Sequence, residues 1–161
     1  MKTLLMGLAM AASLAVAAWG EVWPLEPGVG VGPVKLGQHM LTPLKFLTAG
    51  EKKQGSLGGL YLTYKEGIQT ECQSNQITQI VVTNTTFTSF GRTVQIQVAG
   101  GLKIGGPGGQ IQTVFGTGCI SSALPTAKGY PQKIYYAWPS RGVGVITEGG
   151  KIIQFEVFPR R

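Results

Sequence analysis

The chain has 161 residues, of which 43% are hydrophobic, and its formal net charge is +7. Only 13% of the residues are charged and none is Asp, which excludes catalytic triads that use an Asp. Lys and Arg are scattered along the chain instead of clustered on one element, and this argues against a nucleic-acid-binding surface. The length suits one domain, or two small units that share a core.

Residues 1–20 have the pattern of a cleavable signal peptide. Lys2 precedes an uncharged stretch, Leu4 to Trp19, that is shorter than the roughly 20 residues needed to span a bilayer as a helix. Small residues predict cleavage after one of residues 17 to 20, and no Cys lies nearby to carry a lipid. We therefore expect a secreted or periplasmic protein without a stable membrane anchor after cleavage. An uncleaved N-terminal anchor is the alternative.

The remaining sequence contains an internal repeat. Tyr61–Val82 aligns with Tyr136–Val157 at an offset of 75 without a gap, and Val34–Gly37 aligns with Leu102–Gly105 at an offset of 68. The increase of the offset from 68 to 75 predicts seven extra residues in the second unit, around residues 119–132. We divide the chain into the signal peptide, a first unit (21–82), a linker or extra strand (83–97) and a second unit (98–161).

Each unit is predicted to contain a short helical segment followed by about three antiparallel strands. In the first unit, a helix starts near Pro43 and ends before Gly50, and a strand covers Leu60–Tyr64. A hairpin then turns at Ser74-Asn75, whose residue types tolerate positive φ.

The linker is predicted to hold a strand at Thr93–Val98. In the second unit, the helix lies near Gln110–Phe115 and the strand covers Ile134–Trp138. The second hairpin turns at Gly149-Gly150, and Ile153, Phe155 and Val157 are expected to share one face of its last strand. The predicted fold class is therefore α+β, with an all-β fold as the alternative because helix-forming residues are scarce.

The order of these patterns in tandem resembles the β-lactamase-inhibitor-protein-like family. Single-unit relatives in that group include outer-membrane assembly lipoproteins of the SmpA/OmlA type. The residues that carry the resemblance are Val34–Gly37, Leu102–Gly105, Tyr61–Val82 and Tyr135–Val157. The resemblance implies two helix-plus-sheet units whose sheet surface and loops bind another protein. The lipid-attachment Cys of the assembly lipoproteins is missing here.

Two Cys residues, Cys72 and Cys119, are the only ones in the chain. In an oxidising compartment such a pair is expected to form a disulfide, with two buried thiols as the alternative. Two Cys and the single His39, far apart in sequence, do not have the ligand spacing of a zinc site.

Aromatic residues are the strongest indication of a binding surface. Tyr61, Tyr64, Tyr136 and Trp138 lie on matching strands, and Arg141 is nearby. An exposed patch of this composition is typical of a protein-binding surface. The alternative is that these side chains face the core.

Catalytic motifs are weak or absent. Gly105–Gly109 lacks the Gly-Lys-Ser/Thr ending of a phosphate-binding loop. A glycoside-hydrolase pair would have to come from the carboxylates Glu66, Glu71, Glu148 and Glu156.

We therefore predict a non-enzymatic, exported binding protein of the bacterial envelope, an inhibitor or an assembly factor. It is expected to use no cofactor and to bind another protein or an envelope polymer. An envelope-polymer hydrolase that uses a Glu pair, or a structural surface component, is the alternative.

Overall fold

The structure is a computed structural model and describes residues 20–55 and 58–161. The predicted signal peptide therefore lies outside the described residues, apart from Gly20. The strands are β1 (Glu21–Glu26), β2 (Gly30–Val31), β3 (Val34–Lys35), β4 (Ala49–Gln54), β5 (Leu60–Tyr64), β6 (Ile68–Gln73), β7 (Gln76–Val82), β8 (Thr86–Ser89), β9 (Arg92–Gln97), β10 (Ile120–Leu124), β11 (Lys133–Trp138), β12 (Val143–Glu148) and β13 (Lys151–Val157). The helical segments are 3-10 turns at Thr42–Lys45, Ala99–Gly101 and Gly108–Gln110, and helix α1 (Ile111–Phe115).

The predicted α+β class is wrong, because the chain is mostly β and its only described α-helix has five residues. The two predicted helices are single turns. One begins at Thr42-Pro43, and the other ends at Gly116, whose φ of 90° stops the helix. Four segments to which the sequence assigned no element contribute strands: Glu21–Lys35, Ala49–Gln54, Thr86–Ser89 and Ile120–Leu124. Each unit thus has four strands in the larger sheet where about three were expected.

An eight-stranded sheet forms the main layer, with the strand order β10-β11-β12-β13-β7-β6-β5-β4. Its two central strands pair antiparallel, so that Val82 lies opposite Phe155, Val81 opposite Glu156 and Ile80 opposite Val157. Each of these residues has its counterpart 75 positions away in the same ladder. The two four-stranded halves are therefore related by a pseudo-twofold axis through the Val81–Glu156 pair.

The loops that precede the short helices follow the same symmetry. Gly37 N–H donates to the Ile77 carbonyl at 2.8 Å, and Gly105 N–H donates to the Ile152 carbonyl at 2.7 Å. The two donors are 68 positions apart and the two acceptors are 75 positions apart, which are the offsets of the sequence repeat. Each loop therefore adds a bridge beside the start of the central strand of its half, at His39–Gln76 and at Pro107–Lys151.

The second layer is a five-stranded sheet with the order β3-β2-β1-β9-β8, in which β1 and β9 run parallel. Together with the short helices it covers one face of the eight-stranded sheet, and the buried apolar side chains form one core. Trp23 of the smaller sheet packs edge-on against Phe87, and Phe115 of α1 packs against Trp138. The other face of the large sheet carries the candidate site.

The structure differs from the predicted repeat in two places, at a bulge and at a turn. In β13 the register shifts opposite Ile146/Thr147, and Ile152, Phe155 and Val157 are buried. The prediction that Ile153 shares a face with Phe155 and Val157 is therefore wrong. An equivalent shift occurs in the β6–β7 pair. The turn after β11 is one residue longer than its counterpart after β5, since Trp138–Val143 corresponds to Tyr64–Ile68. The ungapped alignment of the strands at an offset of 75 is therefore wrong there; β5 and β11 correspond at an offset of 74.

The predicted disulfide is absent, because both Cys72 and Cys119 are free thiols. Cys72 is buried on β6, whereas Cys119 precedes the edge strand β10. Five strand spacings, roughly 24 Å along the sheet, separate β6 from β10. Bonded cysteines have Cα atoms only about 4.4–6.8 Å apart, so the two residues do not meet.

Candidate functional site

The face of the eight-stranded sheet away from the core is polar and lies at the surface; we call it the open face. Strand alternation and pairing assign its side chains, most of which are half-buried. Those central to the site are Tyr61, Thr63, Gln69, Glu71, Gln79, Val81, Tyr135, Gly144, Ile146, Gln154 and Glu156. An open groove runs along it, lined by Tyr61, Thr63, Gln69, Gln79, Gln154 and Glu156 among others.

Glu156 is the polar centre of the open face and is only 9% exposed. The Gln79 amide donates to Glu156 Oε2 at 2.9 Å, and the Tyr135 hydroxyl donates to the same oxygen at 3.1 Å. The Gln154 amide donates to Oε1 at 2.7 Å. Gln79 and Gln154 are repeat equivalents, so one amide from each half holds a single carboxylate at the pseudo-twofold axis.

The sequence around Glu156 breaks the symmetry of the two halves. Its equivalent is Val81, which has no carboxylate to offer. Tyr135 reaches Glu156 by lying over Gly144, where an added Cβ would come within 2.8 Å of the Tyr135 hydroxyl. Burial and the neighbouring Glu156 charge together raise the pKa of Tyr135 well above its ordinary value, so the phenol stays protonated and donates.

The charge of Glu156 has no cationic partner among the described residues. The ion pairs found in the described chain join Lys35 to Glu26, Lys53 to Glu51, Arg92 to Glu21 and Lys133 to Glu148. Glu71 on the same face also forms no ion pair in that part of the chain, and its charge raises the pKa of Tyr61. A chain with an excess of basic residues thus has two uncompensated carboxylates on one polar surface.

The sequence-predicted surface residues do not lie together. Tyr64 and Trp138 are each 2% exposed in the core, and Tyr136 packs against that core. Arg141 is exposed in the turn between β11 and β12. Tyr61 alone among the five lies on the open face, as part of the groove.

Sequence reasoning did not name Tyr135 as a surface residue, and it named Glu156 only as one of four carboxylates that could supply a hydrolytic pair. At the offset of 74, Tyr61 corresponds to Tyr135, so the two tyrosines occupy equivalent places on the open face. The alternation of Leu60, Leu62 and Tyr64 with more polar residues indicates that Tyr61 lies on the face opposite to these three side chains. The place of Glu156 at the centre of the open face depends on β13 lying in the middle of the sheet, which the pattern of a single sequence does not reveal.

Two of the carboxylates named for hydrolysis, Glu71 and Glu148, do not form a pair. Glu71 on β6 and Glu148 on β12 are three strand spacings apart, about 14 Å along the sheet. Carboxylates in glycoside hydrolases lie about 5–9.5 Å apart. Glu66, which is 4% exposed, accepts hydrogen bonds from the Thr48 backbone N–H and the Ser89 hydroxyl and ties the core layers together.

Within residues 20–55 and 58–161, no cluster of three or more His, Cys, Asp or Glu side chains has the arrangement of a metal site. In the same residues, no helix has the length and apolar character needed to cross a membrane. No protein family, curated protein or solved structure matches this chain.

Proposed function

We propose that this chain is an exported binding protein whose open face takes a protein partner through a cationic side chain, Lys or Arg. The observation that carries the proposal is the Glu156 carboxylate, which is nearly buried and held by three neutral donors, with no cation beside it among residues 20–55 and 58–161. A carboxylate has about four acceptor positions, and three are used. The fourth is free to accept a charge-assisted hydrogen bond from the partner.

The surroundings of Glu156 support the same class of ligand. Tyr61 lies along the groove and provides a large, rigid contact surface, which is typical of protein-binding sites. Glu71 adds a second negative charge on the same face, so a basic segment would be favoured over an acidic one. The preorganised donors keep the Glu156 carboxylate oriented before the partner arrives.

The location outside the cytoplasm is part of the proposal and rests on the signal-peptide pattern of residues 1–20. The resemblance to the β-lactamase-inhibitor-protein-like family likewise stays a prediction. A role as inhibitor or assembly factor in a bacterial envelope is consistent with a protein-binding face.

The proposal is tested by co-purification from an envelope extract followed by affinity measurement with the partner recovered. Glu156→Gln keeps the shape and removes the charge, and we expect it to weaken binding about tenfold to a hundredfold, the value of a charged hydrogen bond. Glu26→Gln removes a carboxylate that is ion-paired on the smaller sheet and serves as the matched control. Circular dichroism confirms that both variants are folded.

Equal affinity of the wild-type chain and Glu156→Gln would contradict the proposal. For a partner that binds the wild-type chain, changing its Lys and Arg residues one at a time identifies the cation that contacts Glu156. Combining that change with Glu156→Gln should cost little more than either alone, since both remove the same contact.

A further inference from the structure

We propose that β10 is a dimerisation edge, at which a second copy of this chain adds its own β10 antiparallel to extend the eight-stranded sheet. The inference is independent of the ligand of the open face. β10 forms one edge of that sheet, and four of its five residues are exposed. Backbone N–H and C=O groups along the free side of an edge strand are ready to pair with another strand.

The two edges of the sheet differ in the features that block such pairing. β4, at the other edge, carries Lys52 and Lys53, and its register with β5 is interrupted by a bulge. Charged side chains and bulges are the usual protection of an edge strand. β10 has no charged residue, and its five residues pair with β11 in unbroken register from Ile120 to Leu124.

The sequence of β10 is close to self-complementary in the antiparallel direction. Pairing centred on Ser122 would place Ile120 opposite Leu124 of the second copy and small residues opposite each other between them. Small side chains allow the two backbones to approach, while the apolar ends face each other. The Ile120 side chain, which is 65% exposed, would be covered by this contact.

A second copy is favoured over an unrelated peptide because the chain already pairs in this way internally. β7 and β13 are equivalent strands that pair antiparallel about the pseudo-twofold axis. A β10–β10 pair would repeat that geometry between molecules and give a closed, isologous C2 dimer. The twofold axis would be normal to the sheet, so both open faces would lie on the same side.

The experiment places a cysteine at the proposed axis in a chain that carries Cys119→Ser, because Cys119 directly precedes β10 and would cross-link by itself. Ser122→Cys is expected to form a disulfide-linked dimer on mild oxidation, since directly opposed Cβ atoms lie about 4.5–5.5 Å apart. Lys53→Cys is the matched control: Lys53 lies opposite Tyr61 as Ser122 lies opposite Tyr135.

Light scattering on the unmodified chain should give twice the chain mass, and Ser122→Lys, which places two like charges at the axis, should give the mass of one chain. A monomer at every concentration tested would overturn the proposal. Cross-links between Ser122→Cys and Lys53→Cys chains would also overturn it, because they indicate head-to-tail contact between β10 and β4. A monomer that instead binds extended peptides along β10 would show that the edge serves another occupant.

Discussion

Glu156 and Glu66 are both nearly buried carboxylates, and they differ in where they lie and in what they hold together. The hydrogen bonds of Glu66 tie the Thr48 backbone and the Ser89 hydroxyl to the turn after β5. The single Ser89 proton also lies within reach of the Phe46 carbonyl, so it donates to one oxygen at a time. Glu66 is therefore a structural tie, whereas Glu156 lines the groove of the open face.

Glu66 makes stability depend on pH. Burial, the largest single effect, raises the pKa of Glu66, but hydrogen bonds from Thr48, from the Glu66 backbone and from the Ser89 hydroxyl together outweigh it, so the pKa lies below its ordinary value. A lowered carboxyl pKa in the folded state stabilises the protein above the unfolded-state pKa, and this stabilisation is lost as the pH falls through the folded value. Glu66→Gln should thus lower the free energy of unfolding by about 1–3 kcal/mol at pH 7.

Urea denaturation at pH 7 and at pH 3 measures this effect. The difference between wild type and Glu66→Gln should shrink at pH 3, because the carboxyl of the unfolded chain is protonated there and the stabilisation from the lowered folded-state pKa is partly lost. Glu51→Gln, which changes an exposed carboxylate on β4, is the control and should leave stability close to that of the wild type. A difference that stays constant across this pH range would show that folding does not lower the pKa of Glu66.

At the scale of single elements, the turn between β11 and β12 is a tight contact between the two layers. Gly142 has a φ of 72°, and its carbonyl accepts hydrogen bonds from the N–H groups of Gly28 and Phe158. A Cβ on Gly142 would come within 2.3 Å of the Phe158 carbonyl oxygen and 2.6 Å of Gly28 Cα. Both are backbone atoms, so neither can move without shifting its strand.

Gly142→Ala should therefore lower the free energy of unfolding by about 2 kcal/mol or more, from backbone strain and the clash together. Gly37 is the matched control, because its φ is 76° and an added Cβ meets nothing within 4 Å. Gly37→Ala should cost only about 1–2 kcal/mol, the value of the left-handed conformation alone. Denaturant unfolding of the two variants measures the difference, and equal losses would contradict the packing described here.

Local sequence signals predicted individual strands better than the fold class. Alternation located β5 and most of β11, and the positive-φ residues Ser74-Asn75 and Gly149-Gly150 form the hairpin turns. β4 was missed because all six of its residues are exposed and it has no apolar alternation. The face predicted for Ile153 is wrong because a bulge changes the alternation, and a single sequence does not show where a bulge occurs.

At the scale of the whole molecule, the strand order determines that Cys72 and Cys119 are not joined by a disulfide. Since β6 and the start of β10 are far apart in the sheet, the thiols of Cys72 and Cys119 do not meet. Burial raises the pKa of the Cys72 thiol, which keeps it protonated and unreactive. The stability of the fold therefore depends on the single core shared by the two sheets, without a covalent cross-link.

Thiol labelling tests this arrangement. The folded protein is expected to react at Cys119, which is partly exposed, and the unfolded protein at both cysteines. A reductant should leave the unfolding midpoint unchanged. An intrachain disulfide found by mass spectrometry, or a midpoint that falls on reduction, would contradict the strand order.

The candidate site illustrates the difference between local and tertiary information. Tyr61 was found from the sequence because aromatic residues on a strand are conspicuous. Tyr135 is not among the predicted surface residues although it lies on the open face, whereas Trp138 is among them and is buried. Which face of a strand is covered depends on the layer that packs against it, and β1 to β3 and β8 to β9 form that layer from distant parts of the chain.

The periodic properties of this protein, which are the doubled hairpin, the positive-φ turns and the alternation within strands, could be read from the sequence alone, since each depends on neighbours in the chain. Tertiary structure decided the pairing of β7 with β13, and with it the position of Glu156 at the pseudo-twofold axis. It also decided the covered face and the separation of the two thiols. These features arise from contacts between residues far apart in the chain, where burial of a shared apolar core selects one arrangement among several that satisfy the same local pattern.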